Sequence, residues 1–160
     1  MKIPVDRKVF DAVRNFYAAG LNYRAHIDWA NSRGASHKVP AAPDIGYRSA
    51  AALIPSGGEI VIPADSPGPV EYEGELVAVI GKKAKDLTEG NALDCVQGYT
   101  LGNDVSERAW QKTDRTLWRA KSADTFKRWD RSSSAASIPW TSRSTCVSTA
   151  GPCRATTPAA

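Results

Sequence analysis

The chain has 160 residues, 42% hydrophobic and 24% charged, the balance of a soluble globular protein with room for one domain and a real core. No apolar run approaches the ~18 residues of a membrane span, and the opening MKIPVDRKVFDAV lacks the apolar stretch of a secretory signal. The formal net charge is +4, but residues 128–160 carry four arginines against one acid, so the excess sits in the tail and no basic cluster interleaved with aromatics argues for nucleic acid.

In chain order, Asp6 can cap a short helix over residues 7–15. Residues 16–26 (FYAAGLNYRAH) read as a buried strand that opens on polar residues, with His26 at the opening. A lone histidine is more often structural than catalytic, and the residues alone leave both readings open. Residues 30–46, rich in Gly, Pro, Ser and Ala, form a loop that could act as a lid, with a solvated His37 inside it. Residues 59–63 (EIVIP) read as a strand.

Residues 71–81 (EYEGELVAVIG) organise the rest. They alternate, with Glu71, Glu73, Glu75, Val77 and Val79 on one side and Tyr72, Leu76, Ala78 and Ile80 on the other. Glu73 and Glu75 then lie roughly 7 Å apart on one face. Two carboxylates so close on a partly buried face call for a hard cation, an Arg or Lys, or a shared proton. A solvent-facing polar stripe remains the plain alternative.

Beyond the strand, Thr88 can cap a helix over 89–96, with Cys95 as a packing residue. Gly98 stops that helix, and 99–105 (YTLGNDV) is a strand ending near Asp104. Ser106 can cap a second helix that places Arg108 and Gln111 on one face. Cys95, Cys146 and Cys153 form no CxxC pair and read as reduced thiols of a cytoplasmic protein.

Four motifs in this order, LNYRAH (21–26), YEGELVAVIGKKA (72–84), GYTLGNDVSERAWQ (98–111) and RAKSADTF (119–126), make the chain resemble the fumarylacetoacetate hydrolase family. The resemblance spans about residues 15–127. It implies a mixed α/β fold, mainly β: an incomplete β-sandwich roll of this family's type, with short helices. It implies metal ligands at Glu73, Glu75 and Asp104, holding Mg²⁺ or a similar cation such as Mn²⁺ or Ca²⁺. It implies a general base at His26, a catalytic Lys121, and substrate or supporting contacts from Arg108, Gln111 and Thr125. In many relatives a Glu follows the histidine by three residues; here Trp29 stands there, with Asp28 one residue earlier. The implied activity is metal-dependent hydrolysis of C–C bonds in 2-oxo or diketo acids, in the catabolism of aromatic compounds. Isomerases and decarboxylases share the same platform, and the intact family member would be a homodimer.

Three segments follow: an N-terminal helical extension (1–14), a partial catalytic domain (15–127) and a low-complexity tail (128–160). The tail is mostly Ser, Thr, Ala and Pro, too poor in apolar residues to order itself. It also reads as a shifted frame. RWDRSSS can be encoded CGA TGG GAC CGT TCG TCG AGC, and one C placed in front turns the same bases into PMGPFVE, which resembles the family's continuation. The expectation is a truncated chain with a disordered, frameshifted end, impaired as an enzyme. An inactive product of that shift is the rival reading of another class.

Overall fold

In the computed structural model, the described residues are 12–130, together with the backbone of two strands at 2–4 and 132–134. The strands are β1 (Lys2–Pro4), β2 (Phe16–Gly20), β3 (Asp44–Arg48), β4 (Leu53–Pro55), β5 (Val70–Glu71), β6 (Gly74–Ile80), β7 (Val96–Asp104), β8 (Ser106–Glu107), β9 (Lys127–Trp129) and β10 (Ser132–Ser134). Among the described residues three short α-helices lie between the strands: α1 (Arg24–Asn31), α2 (Arg108–Gln111) and α3 (Trp118–Lys121). The fold is therefore mixed α/β and mainly β.

The long strand β7 is the spine. It pairs antiparallel with β6 from Gly74↔Asn103 to Ile80↔Val96, and its other edge takes β9 and β10. Strand β9 also runs parallel to β4, and β1 pairs with β10, completing a six-stranded sheet. Two smaller pairs, β2 with β3 and β5 with β8, flank it.

The core gathers where β9 meets β7. Phe126 is fully buried and Trp129 is 5% exposed. Trp129 takes the edge of Phe16 at a ring separation of 5.1 Å. Gly102 permits this closeness, because a Cβ there would stand 2.6 Å from a Val77 methyl and 3.4 Å from the Trp129 ring. Strand β9 thus takes in Arg128 and Trp129, beyond the expected domain end at 127, and Ser132–Ser134 adds a further strand.

Several local expectations change. The stretch 71–81 is two strands, broken at Tyr72 and Glu73, because β5 pairs with β8 while β6 pairs with β7. On β6 the half-buried side chains are Glu75, Val77 and Val79, whereas Leu76, Ala78 and Ile80 face outward. Residues 59–63 form no strand; Val61 is tied instead by its N–H to Thr125 Oγ1 at 2.8 Å. The Thr88 segment closes as a 3₁₀ turn over Ala92–Cys95, and Gly98 lies inside β7. Helix α2 is capped by Glu107, whose carboxylate accepts from the N–H groups of Ala109 and Trp110, not by Ser106. Of the helix expected over 7–15, residues 7–11 lie outside the described residues and 13–15 are not helical, and the tail beyond Ser134 also lies outside them.

Candidate metal centre and cavity

The break between β5 and β6 sets Glu73 beside the end of β7. Its backbone N–H donates to Asn103 Oδ1 at 3.0 Å, and its carbonyl accepts from the Asp104 N–H at 2.9 Å. Glu75 follows on β6 opposite Gly102, and Asp104 ends β7. Oxygen atoms of Glu73, Glu75 and Asp104 all lie within 4.8 Å of one another. Glu73 and Glu75 are half-buried and Asp104 is 3% exposed.

Cations crowd the same point. Lys121 on α3 donates to Glu73 Oε2 at 2.6 Å and to Asp104 Oδ2 at 3.1 Å. Arg48, at the end of β3, grips Asp104 Oδ2 through Nε at 3.2 Å and Nη2 at 3.1 Å. Lys127, fully buried on β9, pairs with Asp104 Oδ1 and donates to the Val105 carbonyl at 2.9 Å. Arg108 on α2 bridges Glu71 and Glu73, each at 2.8 Å, and donates to Gln111 Oε1 at 2.8 Å.

The electrostatics follow from this arrangement. Burial alone would raise the Asp104 pKa, but Lys127, Lys121 and Arg48 outweigh it and hold it at about 2. Among the described residues Glu75 has no such ion-pair partner. Burial first, then the neighbouring Asp104 and Glu73 charges, push its pKa up to about 7. Burial pulls Lys127 down to about 8 despite the Asp104 charge.

As a cation site the donor set fits a hard divalent ion: three converging carboxylates that offer only oxygen. Lys121, set between Glu73 and Asp104, marks the place where their mutual repulsion has to be neutralised.

A cavity of about 930 Å³ opens from this centre. His26, Arg108, Gln111 and Lys121 line it with the three carboxylates, so the structure brings together all but one of the residues singled out from sequence. Thr125 does not line it; it sits at a positive φ of 68° with its hydroxyl on Val61. His26 lies on helix α1, not at a strand mouth, and its ring stacks on Trp29 at 5.8 Å.

Sequence reasoning missed Arg48 and Lys127. Arg48 follows an unremarked DIGY stretch, and Lys127 stood at the presumed edge of the tail; neither carries a local pattern. Glu71, placed on the same face as Glu73 by the alternation, is an ion-pair partner of Arg108.

Comparison with known proteins places this geometry in context. The family model described as "Fumarylacetoacetate (FAA) hydrolase C-terminal" matches residues 15–129. A caffeoylpyruvate hydrolase of Neonothopanus nambi is 42% identical over 113 residues, which is 68% of this chain and 36% of that protein. A mitochondrial oxaloacetate tautomerase (fahd2) of Xenopus laevis is 38% identical over 109 residues, 67% of this chain and 32% of that protein. The crystal structure of a 5-carboxymethyl-2-hydroxymuconate delta-isomerase from Mycobacterium smegmatis superposes with a TM-score of 0.66 at 36% identity, covering 78% of this chain and 47% of that one. The chain thus spans about a third of these curated relatives' length.

Proposed function

The chain belongs to the fumarylacetoacetate hydrolase family, and we propose that its cavity is built for metal-dependent cleavage of a C–C bond in a 2-oxo or diketo acid. The observation that carries this reading is the convergence of Glu73, Glu75 and Asp104 at one end of a cavity that His26 also lines.

Glu73, Glu75 and Asp104 would hold Mg²⁺, or Mn²⁺ or Ca²⁺ in its place. Bound there, such an ion would supply Lewis acidity toward an oxygen-rich substrate such as a 2-oxo acid. Arg108 and Lys121 present cationic donors to the substrate carboxylate, with Gln111 beside them. His26 takes a proton from water, which adds to the carbonyl next to the scissile bond. The C–C bond breaks with its electron pair on the 2-oxo acid fragment, which then regains a proton.

Isomerisation is the second reading, favoured by the likeness to the Mycobacterium smegmatis isomerase. It needs proton transfer at the same carbon without addition of water. We further propose a cytoplasmic location, in keeping with three cysteines that form no CxxC pair, and a homodimeric assembly. Among the described residues no helix is long and apolar enough to cross a membrane.

The test is calorimetry with Mg²⁺ and Mn²⁺, followed by assays on acylpyruvates, oxaloacetate and a hydroxymuconate-type diacid with and without EDTA. Wild type should bind the ion and Glu75→Ala should lose affinity. An unchanged isotherm in Glu75→Ala overturns the metal centre. Product analysis separates cleavage from isomerisation.

A further inference from the structure

Helix α1 offers the cavity a second kind of chemistry, far from the carboxylates in sequence. His26, Trp29 and Ala30 on one face of α1, and Arg33 in the turn that closes it, all line the cavity. Ile27, 3% exposed, anchors the helix in the core. The Arg33 guanidinium lies over the Trp29 ring at 4.4 Å from its centre, and the other neighbour of that ring is His26.

Arg33 is held by more than this stack. The helix ends with the Ala35 N–H on Ala30 O at 3.1 Å and the Gly34 N–H on Asn31 O at 3.1 Å, with Gly34 at φ +92°. This paired closure fixes the backbone at Arg33. The loop beyond is tied back by Asn31, whose side chain accepts from His37 N–H at 2.8 Å and donates to His37 O at 2.9 Å. Among the described residues Arg33 has no carboxylate partner, whereas Arg48 and Arg108 on the cavity's metal side are both ion-paired. A planar guanidinium with five N–H donors, stacked and unpaired at a cavity wall, is prepared for an anion.

We propose that Arg33, held on Trp29, is a second recognition point of this cavity and takes an anionic group at the far end of the substrate, so that 2-oxo acids with a second carboxylate are preferred over monoanionic ones. This rests on the reading that the three carboxylates and their cation hold the 2-oxo acid head. Trp29 also walls the imidazole of His26, so the same pair sets how far the substrate tail stands from the proposed base.

The experiment is calorimetry on the full 160-residue chain with saturating Mg²⁺, using three probes: oxalate for the head alone, 2-oxobutyrate as a monoacid and 2-oxoadipate as a diacid. In wild type the diacid should bind about five- to tenfold tighter than the monoacid, the scale of one partly exposed charge-assisted contact. Arg33→Gln, at an exposed position that should not disturb folding, should remove that preference and leave oxalate unchanged. Trp29→Ala should weaken it, and Arg33→Lys should restore part of it. No diacid preference in wild type, or one that survives Arg33→Gln, overturns the subsite while the metal reading stands. Absence of Mg²⁺-dependent oxalate binding overturns the metal reading, and the subsite with it.

Discussion

Arg48 holds the Asp104 carboxylate through two of its nitrogens, and both side chains are almost wholly buried, at 5% and 3% exposure. The contact joins the end of β3 to the end of β7, 56 residues apart. With Lys121 and Lys127 it surrounds one carboxylate with three cations. That excess is sustainable only because Glu73 and Glu75 lie alongside, so the charge of the centre is shared among strands β3, β6, β7 and β9 and helix α3.

Removing one member should therefore cost fold stability before anything else. Arg48→Met should lower unfolding free energy by about 3 kcal/mol, the scale of a broken buried pair, read by urea denaturation. Lys121→Met should cost less, since Lys127 and Arg48 still hold Asp104. Equal losses for both would mean that Asp104 is not the hub.

The pH dependence follows from opposite shifts in neighbouring acids. The folded-state pKa of Glu75 is raised to about 7, so its contribution to stability is full below its ordinary carboxylate range and is lost as pH rises through 7. That of Asp104 is lowered to about 2, so its contribution is present above its ordinary value and is lost as pH falls toward 2. Without divalent ions, stability should thus decline between about pH 4.5 and 7, where Glu75 acts alone. A bound cation needs the Glu75 carboxylate, so Mg²⁺ affinity should climb about tenfold per pH unit below 7 and level off above it. Calorimetry across pH 5.5–8.5 checks the slope, and Glu75→Gln should flatten it.

The base and the carboxylates should separate in kinetics. If the protein turns over a 2-oxo acid, His26→Ala should lower kcat by about 10²–10⁴-fold, the usual range for a general base. Its Mg²⁺ affinity should stay at the wild-type value. A parallel loss of ion binding would assign His26 to the metal centre instead.

These residues also show what the sequence could and could not disclose. The convergence of Glu73, Glu75 and Asp104 was legible because each sits in a short stretch that resembles a motif of the fumarylacetoacetate hydrolase family. Arg48 and Lys127 were not, because their role arises from strand order: β9 beside β7 and β3 across the centre. The Val-Ile alternation of 59–63 looked like a strand but meets no pairing edge, and Val61 and Ile62 stand 58% and 57% exposed. Alternation on β6 likewise could not say which apolar face is buried, since Val77 and Val79 compete with Leu76 and Ile80.

The outcome of that competition is open to measurement. Leu76 and Leu101 are register partners on β6 and β7, and with Ile80 they stand 43%, 60% and 61% exposed. An apolar sheet face of this kind promotes self-association. Leu101→Lys should leave circular dichroism unchanged, reduce dye binding to exposed apolar surface and raise solubility. Unchanged dye binding would place the sticky surface elsewhere.

The tail reading also has a decisive test, because it concerns bases rather than side chains. We expect the nucleotide sequence near codon 127 to lack one base relative to the frame that reads PMGPFVE. In the present chain Trp129 fills the slot against Phe16 and Gly102. Restoring the base converts that position to methionine, so Trp129→Met in the otherwise unchanged chain separates the local effect from the effect of a new continuation. The single substitution should cost about 1–2 kcal/mol, since methionine keeps much of the apolar volume but loses the ring contact. The restored frame should do more, adding strand-forming sequence and raising metal-dependent turnover of a 2-oxo acid well above that of the 160-residue chain, because ligands and base act only when held to a fraction of an ångström. Equal turnover in both chains would show that the tail as it stands does not impair the site, and an intact codon register at 127 would remove the shifted-frame reading altogether.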